Sequence, residues 1–167
     1  MTFLALMAAA YLLGSIPTGL LVARLLGGPD PRTQGSGNVG AANLYRLLGR
    51  RAGFLTLLGD LGKGALPVLA ARLWLTPLGA WQETAVAAVG LVAVLGHLFP
   101  IFLNFRGGKG VATSFGVVAV ICPLAAFNLA VVYVAALYHL RIFSAAALIC
   151  AWVLPVAVGL FSDVKAY

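Results

Sequence analysis

Long apolar runs alternate along the chain with short polar stretches rich in glycine and basic residues. The runs from Phe3 to Ala23, Thr84 to Leu103 and Ile142 to Phe161 carry no charge. Each is long enough to cross the hydrocarbon of a bilayer, which takes roughly 20 residues as a helix. The run from Ala52 to Ala71 also predicts a span, although it holds Asp60 and Lys63. The stretch from Val111 to Leu140 reads as one overlong helix or two short ones; Pro123 near its middle removes a backbone donor and favours two. The pattern predicts an all-α polytopic bundle of about six crossings.

Composition agrees: 62% of residues are apolar, 9% are charged and mean hydropathy is +1.04, against roughly 25% charged in an ordinary soluble domain. The 167 residues leave little for a separate soluble part, so residues 1–167 read as a single integral-membrane domain. No basic n-region or small-residue cleavage site marks a removed signal peptide. Cys122 and Cys150 lie in apolar runs without metal-ligand spacing and read as small buried hydrophobes. Neither a metal nor a cofactor nor a nucleic-acid partner is expected.

The formal net charge of +7 fits the excess of Lys and Arg found in short cytoplasmic loops. With the N-terminus outside and six crossings, Arg24, Arg32, Arg46, Arg50, Arg51, Arg106, Lys109 and Arg141 face the cytoplasm. Arg72 and Lys165 fall outside, and Lys63 falls within a span. Tyr45, Trp74 and Trp81 read as interfacial anchors. Asp60 and Lys63 stand on one helical face, where an unpaired charge costs roughly 3 kcal/mol on insertion scales. They are expected to pair, either holding helices together or lining a site.

Glycine accompanies the charge in two cytoplasmic loops, "RTQGSGNVGAANLYRLLGRR" and "NFRGGKGVATS". The first contains GxGxxG as Gly35, Gly37 and Gly40, but no strand precedes it, so the dinucleotide reading is weak. The second resembles a Walker A loop that lacks a glycine at Leu103 and a Ser or Thr at Gly110, and implies no ATP site. Together they predict an anion site: amides at Gly35, Gly37, Gly40, Gly107, Gly108 and Gly110 turned inward as a nest, with Arg46, Arg106 and Lys109 supplying charge. Asn38 and Asn43 can orient a ligand or the loop.

"YLLGSIPTGLLVARLLG", "GSGNVGAANLYRLLGRRAG", "LGDLGKGALPV" and "GHLFPIFLNFRGGKGVATSFG" occur in that order over most of residues 10–120. In them the chain resembles the bacterial acyl-phosphate-dependent glycerol-3-phosphate acyltransferases, the PlsY family, whose pattern is seven crossings. The resemblance implies a multi-pass protein of the bacterial cytoplasmic membrane with its site facing the cytoplasm. The activity it implies is transfer of a fatty acyl group from acyl phosphate to the sn-1 hydroxyl of glycerol 3-phosphate. Its catalytic pair matches Ser36 and Arg46, its glycerol phosphate motif matches Gly107, Gly108, Lys109 and Gly110, and His97 matches a "GH" before that motif; Lys109 and His97 are expected to join the pair in catalysis, with an interfacial or packing role the other reading of His97. No HxxxxD motif of acyl-CoA-dependent enzymes occurs, since His97 is followed five residues on by Phe102 and His139 by Ser144. Family members continue into another helix and a tail with His-Arg-x-Asn, which this sequence lacks; slower turnover is the expectation that follows. A transporter for a phosphate-bearing anion and a non-catalytic paralogue are the other readings.

Overall fold

The computed structural model describes residues 2–75 and 81–161, and Lys165, counted above to the outer face, lies outside them. The described residues form seven α-helices and a short 3₁₀ turn, with no strand. They are α1 (Thr2–Ser15), α2 (Thr18–Leu25), α3 (Ala41–Trp74), α4 (Gln82–Leu98), α5 (Val111–Ile121), α6 (Pro123–Leu140) and α7 (Phe143–Phe161). Two compact units divide between Val117 and Val118.

In the first unit, the run expected as one span breaks at Ile16 and Pro17, and α1 and α2 meet at a 42° bend. Pro17 has no N–H to carry the ladder across. Glycine lets the neighbouring helices come close: a β-carbon on Gly14 would overlap the Ala93 carbonyl of α4, and one on Gly64 of α3 would overlap the Thr113 carbonyl of α5. In a bilayer, where apolar surface gains nothing from leaving water, such close backbone packing is a main source of helix association.

The 34-residue α3 is interrupted at Gly49 (φ 81°, ψ −170°), a conformation that side-chain-bearing residues rarely adopt. The kink separates a short first segment, in which Leu44 and Leu48 pack on Val22, Ala23 and Ala52, from the apolar length carrying Asp60 and Lys63.

The second unit is a helical hairpin of α6 and α7 with Ala125, Ala126, Leu129, Ala146, Cys150 and Ala157 buried. Cys122 and Cys150 are free and buried, as expected. Large apolar side chains such as Phe127, Val134 and Trp152 are exposed, as lipid contact requires.

The break expected at Pro123 is present: α5 ends at Ile121, and Pro123 opens α6 where its missing N–H costs nothing. Among the described residues, four helices are long and apolar enough to cross, or five if the bent α1–α2 pair counts as one span, against the roughly six crossings expected. The difference lies in α5, whose 11 residues rise only about 16 Å, roughly half of the hydrocarbon thickness.

Candidate functional site

The loop between α2 and α3 is organised by Asn43, which is 1% exposed. Its side-chain amide donates to the carbonyls of Pro31, Gln34 and Asn38 at 3.0, 3.1 and 2.9 Å, and its Oδ1 accepts from the Ser36 amide at 2.9 Å. Gly35 passes so close to Oδ1 that a β-carbon would overlap it. Asn38 closes a smaller turn by accepting from the Gly40 amide at 2.8 Å. At the loop's start, the Asp30 carboxyl is lowered to about 2 because the Arg32 side chain and then its amide donate to it. A depressed carboxyl contributes above its ordinary range and loses that contribution as pH falls through about 2. The ion pair is therefore fully formed at neutral pH.

The loop between α4 and α5 folds back on the end of α4. Two left-handed residues, Asn104 (φ 51°) and Phe105 (φ 61°), reverse the chain. The amides of Gly107 and Gly108 then donate to Leu98 O at 3.1 Å and His97 O at 3.2 Å, satisfying carbonyls that a helix end otherwise leaves open. The two loops meet where Val39 packs with Leu20 and Leu103.

Beneath them lies a cleft lined by residues of the α1–α2 break, α3 and the end of α4, including Ser15, Thr18, Asp60, Lys63, His97 and Gly107. Asp60 accepts a hydrogen bond from Thr18 Oγ1. It lies 3.0 Å from Lys63 Nζ and 3.6 Å from His97 Nδ1. Lys63 in turn donates to Ile16 O at 2.8 Å, capping a carbonyl exposed by the helix break. His97 Nδ1 also lies 3.1 Å from Thr113 Oγ1, and a β-carbon on Gly108 would overlap its Nε2. Asp60, Lys63 and His97 are all under 10% exposed. A buried charge survives in such a place only when paired and hydrogen-bonded, and each of these three has partners.

The sequence profile described as glycerol-3-phosphate acyltransferase matches residues 4–166. The chain belongs to this family. A glycerol-3-phosphate acyltransferase of Geotalea daltonii is 50% identical over 155 residues, covering 93% of this chain and 77% of the relative. One from Neisseria meningitidis serogroup B is 43% identical over 154 residues, covering 92% and 76%. Among solved structures, PlsY, an integral membrane glycerol 3-phosphate acyltransferase, is similar in two forms. Its glycerol 3-phosphate form has a TM-score of 0.85 at 38% identity, covering 100% of this chain and 79% of that one. Its lysophosphatidic acid form has a TM-score of 0.86 at 37% identity, covering 96% and 77%.

Within this family fold, the candidate residues separate by environment. Ser36, Arg46, Arg106 and Lys109 are exposed at the two loops. His97 is buried beneath them, its carbonyl accepting from the Gly108 amide and its ring lying against Gly108. The expected nest is corrected at four positions: the amides of Gly37, Gly40, Gly107 and Gly108 are bonded to Gln34 O, Asn38 Oδ1, Leu98 O and His97 O. Glycine at 107 and 108 serves close approach to α4, since β-carbons there would overlap His97 O and His97 Nε2. Asn43 is likewise an organiser of its loop, with both donor hydrogens engaged. The pairing expected of Asp60 and Lys63 is present. Thr18 and Thr113 were not singled out in the sequence; a threonine in an apolar run signals nothing until the carboxylate or imidazole it meets is known.

Proposed function

We propose that the protein transfers a fatty acyl group from acyl phosphate to the sn-1 hydroxyl of glycerol 3-phosphate, giving 1-acylglycerol 3-phosphate. Family membership supports the acceptor, and the glycerol 3-phosphate and lysophosphatidic acid forms of PlsY fit a substrate and a product of such a transfer. The observation that carries the reading is the braced loop ending at Gly110. It holds the exposed Lys109 immediately before the first turn of α5, where helix amides have no carbonyl ahead of them and favour an anion. With two glycine loops adjacent at a membrane surface, a phosphate-bearing acceptor and a lipid-chain donor can approach from the two phases.

Acyl phosphate is a mixed anhydride with a good leaving group, so no covalent nucleophile on the protein is required. The acceptor hydroxyl oxygen bonds to the acyl carbon, the bond from that carbon to the phosphate oxygen breaks, and inorganic phosphate leaves with the net proton. The protein's part is to align the reactants and stabilise the charge developing on the carbonyl oxygen and leaving phosphate. Ser36 as hydrogen-bond donor and Arg46 as cation are assigned to that charge. Lys109, Arg106 and the backbone amides of the first turn of α5 are assigned to the acceptor's phosphate, and Gly35, Gly37, Asn38, Gly40 and Gly110 to the shape of the loops that receive the substrates.

Purified protein in lipid is expected to convert acyl phosphate and glycerol 3-phosphate to 1-acylglycerol 3-phosphate, followed by mass spectrometry, and to leave acyl-CoA unused. No product from acyl phosphate would overturn the reading. The proposed site faces the cytoplasm of a bacterial cell membrane. Single cysteines at Gly37 and Lys109 should both react with an impermeant maleimide in inverted vesicles and remain unlabelled in intact cells; labelling from opposite faces would rule out a shared site.

A further inference from the structure

Resting on that reading of the loop, we infer that His97 and Asp60 are positioning residues for the glycerol 3-phosphate site. They act through Gly108 and Thr113 rather than by touching the substrate. His97 is 4% exposed, and its ring is occupied on both sides. Nδ1 faces Thr113 Oγ1 at 3.1 Å and Asp60 Oδ1 at 3.6 Å, while Nε2 stands against Gly108. Thr113 belongs to the first turn of α5 and Gly108 precedes Lys109 by one residue. One imidazole therefore braces the segment that carries Lys109 from both of its ends.

The brace is anchored in depth. Asp60 is held by Thr18 Oγ1 and Lys63 Nζ, and Lys63 is tied to Ile16 O at the α1–α2 break. The His97 backbone adds a second grip, its carbonyl accepting from the Gly108 amide at 3.2 Å. Loops are ordinarily the mobile part of a scaffold, and a binding geometry within about half an ångström of optimal needs a supporting layer whose own side chains are locked. Here that layer is a charged network below the loop, built from α3, α4 and the α1–α2 break.

A residue that places a binding loop affects ground-state binding of the ligand at that loop more than the chemical step, so its loss appears in KM rather than in kcat. The test measures KM and kcat for both substrates, with direct binding of radiolabelled glycerol 3-phosphate, in the full chain in lipid. His97→Gln is expected to raise KM for glycerol 3-phosphate about tenfold, with kcat within about twofold and KM for acyl phosphate unchanged. Thr113→Val should raise the same KM about threefold, and Thr113→Ser, which keeps the hydroxyl, should restore it. Asp60→Asn combined with Lys63→Met removes both charges together and should raise the KM without the penalty of a lone buried ion.

Should His97→Gln fail to fold, by thermal unfolding in detergent, the Thr113 pair decides the matter. A fall in kcat larger than the rise in KM, or equal KM values in Thr113→Val and Thr113→Ser, overturns the inference. If the wild type binds glycerol 3-phosphate but transfers nothing from acyl phosphate, the proposed reaction fails while the binding ratios of the same variants still decide the positioning role. A wild type that does not bind glycerol 3-phosphate overturns both.

Discussion

Arg46→Ala is expected to lower kcat by about 100-fold or more with KM for glycerol 3-phosphate within about threefold, and Ser36→Ala to do the same to a smaller extent. Both side chains are exposed, one on the loop that Asn43 organises and one on the first segment of α3. Truncating an exposed side chain normally changes stability by less than about 0.5 kcal/mol, so a large loss of turnover has to come from the chemistry. The charge assigned to Arg46 and Ser36 develops only as the acyl carbon is attacked, and an interaction made only there shows in kcat. Arg46→Lys tests the geometry: a point charge keeps the sign but loses the planar fork that holds two oxygens at once, so partial recovery, short of wild type, is expected. Initial rates at saturating concentrations of both substrates, with thermal unfolding as the fold control, make the measurement. Raised KM with intact kcat would move Arg46 from the reacting centre to the binding site.

The second large effect is on stability. Lys63→Met should destabilise the protein by about 3 to 5 kcal/mol, because it leaves the Asp60 carboxylate buried without its cation. That is a large share of the roughly 5 to 15 kcal/mol that keeps a domain folded. The same change removes one of the two donors to Ile16 O at the α1–α2 break, leaving the Thr18 amide, so the bend loses part of its capping as well. Asp60→Asn in the same chain removes the stranded charge, and the double variant should be more stable than Lys63→Met alone. Their coupling should exceed about 1 kcal/mol, as expected of residues in direct contact. Thermal or denaturant unfolding of the four proteins in one detergent reads this directly. Additive effects would mean that the 3.0 Å pair contributes nothing beyond its two separate side chains.

Much of the architecture was legible in the apolar runs because a bilayer demands it. A helix must satisfy its own backbone in lipid, so an uncharged run of sufficient length admits few alternatives, and the runs ending in α4 and α7 lie close to the helices observed. Pro123 marked a break because a missing N–H acts locally. Pro17 did so too, but its run was long and apolar enough to be read through as straight. The pairing of Asp60 with Lys63 was legible from their spacing and the cost of leaving either alone. The length of α5 was not: Val111 to Ile121 is as apolar as a span, and only its rise shows that it covers about half of one.

The candidate site divides in the same way. By itself the sequence determined that the protein lies in a membrane, that its polar chemistry gathers in two glycine-rich basic loops, and that Asp60 must find a cation. Composition, periodicity and the energy of a charge in hydrocarbon act on each segment separately, so no neighbour needs to be known. Only the tertiary structure decided what the glycines are for. At Gly107 and Gly108 they let the chain lie against the end of α4, and their amides are taken by Leu98 and His97. Only the packing of α2, α3, α4 and α5 revealed that Thr18, Asp60, His97 and Thr113, residues spread from 18 to 113 in the chain, form one network beneath the loop. A hydrogen bond between distant segments depends on which helices pack and at what height, and these are properties of the assembled bundle that no run of the sequence carries.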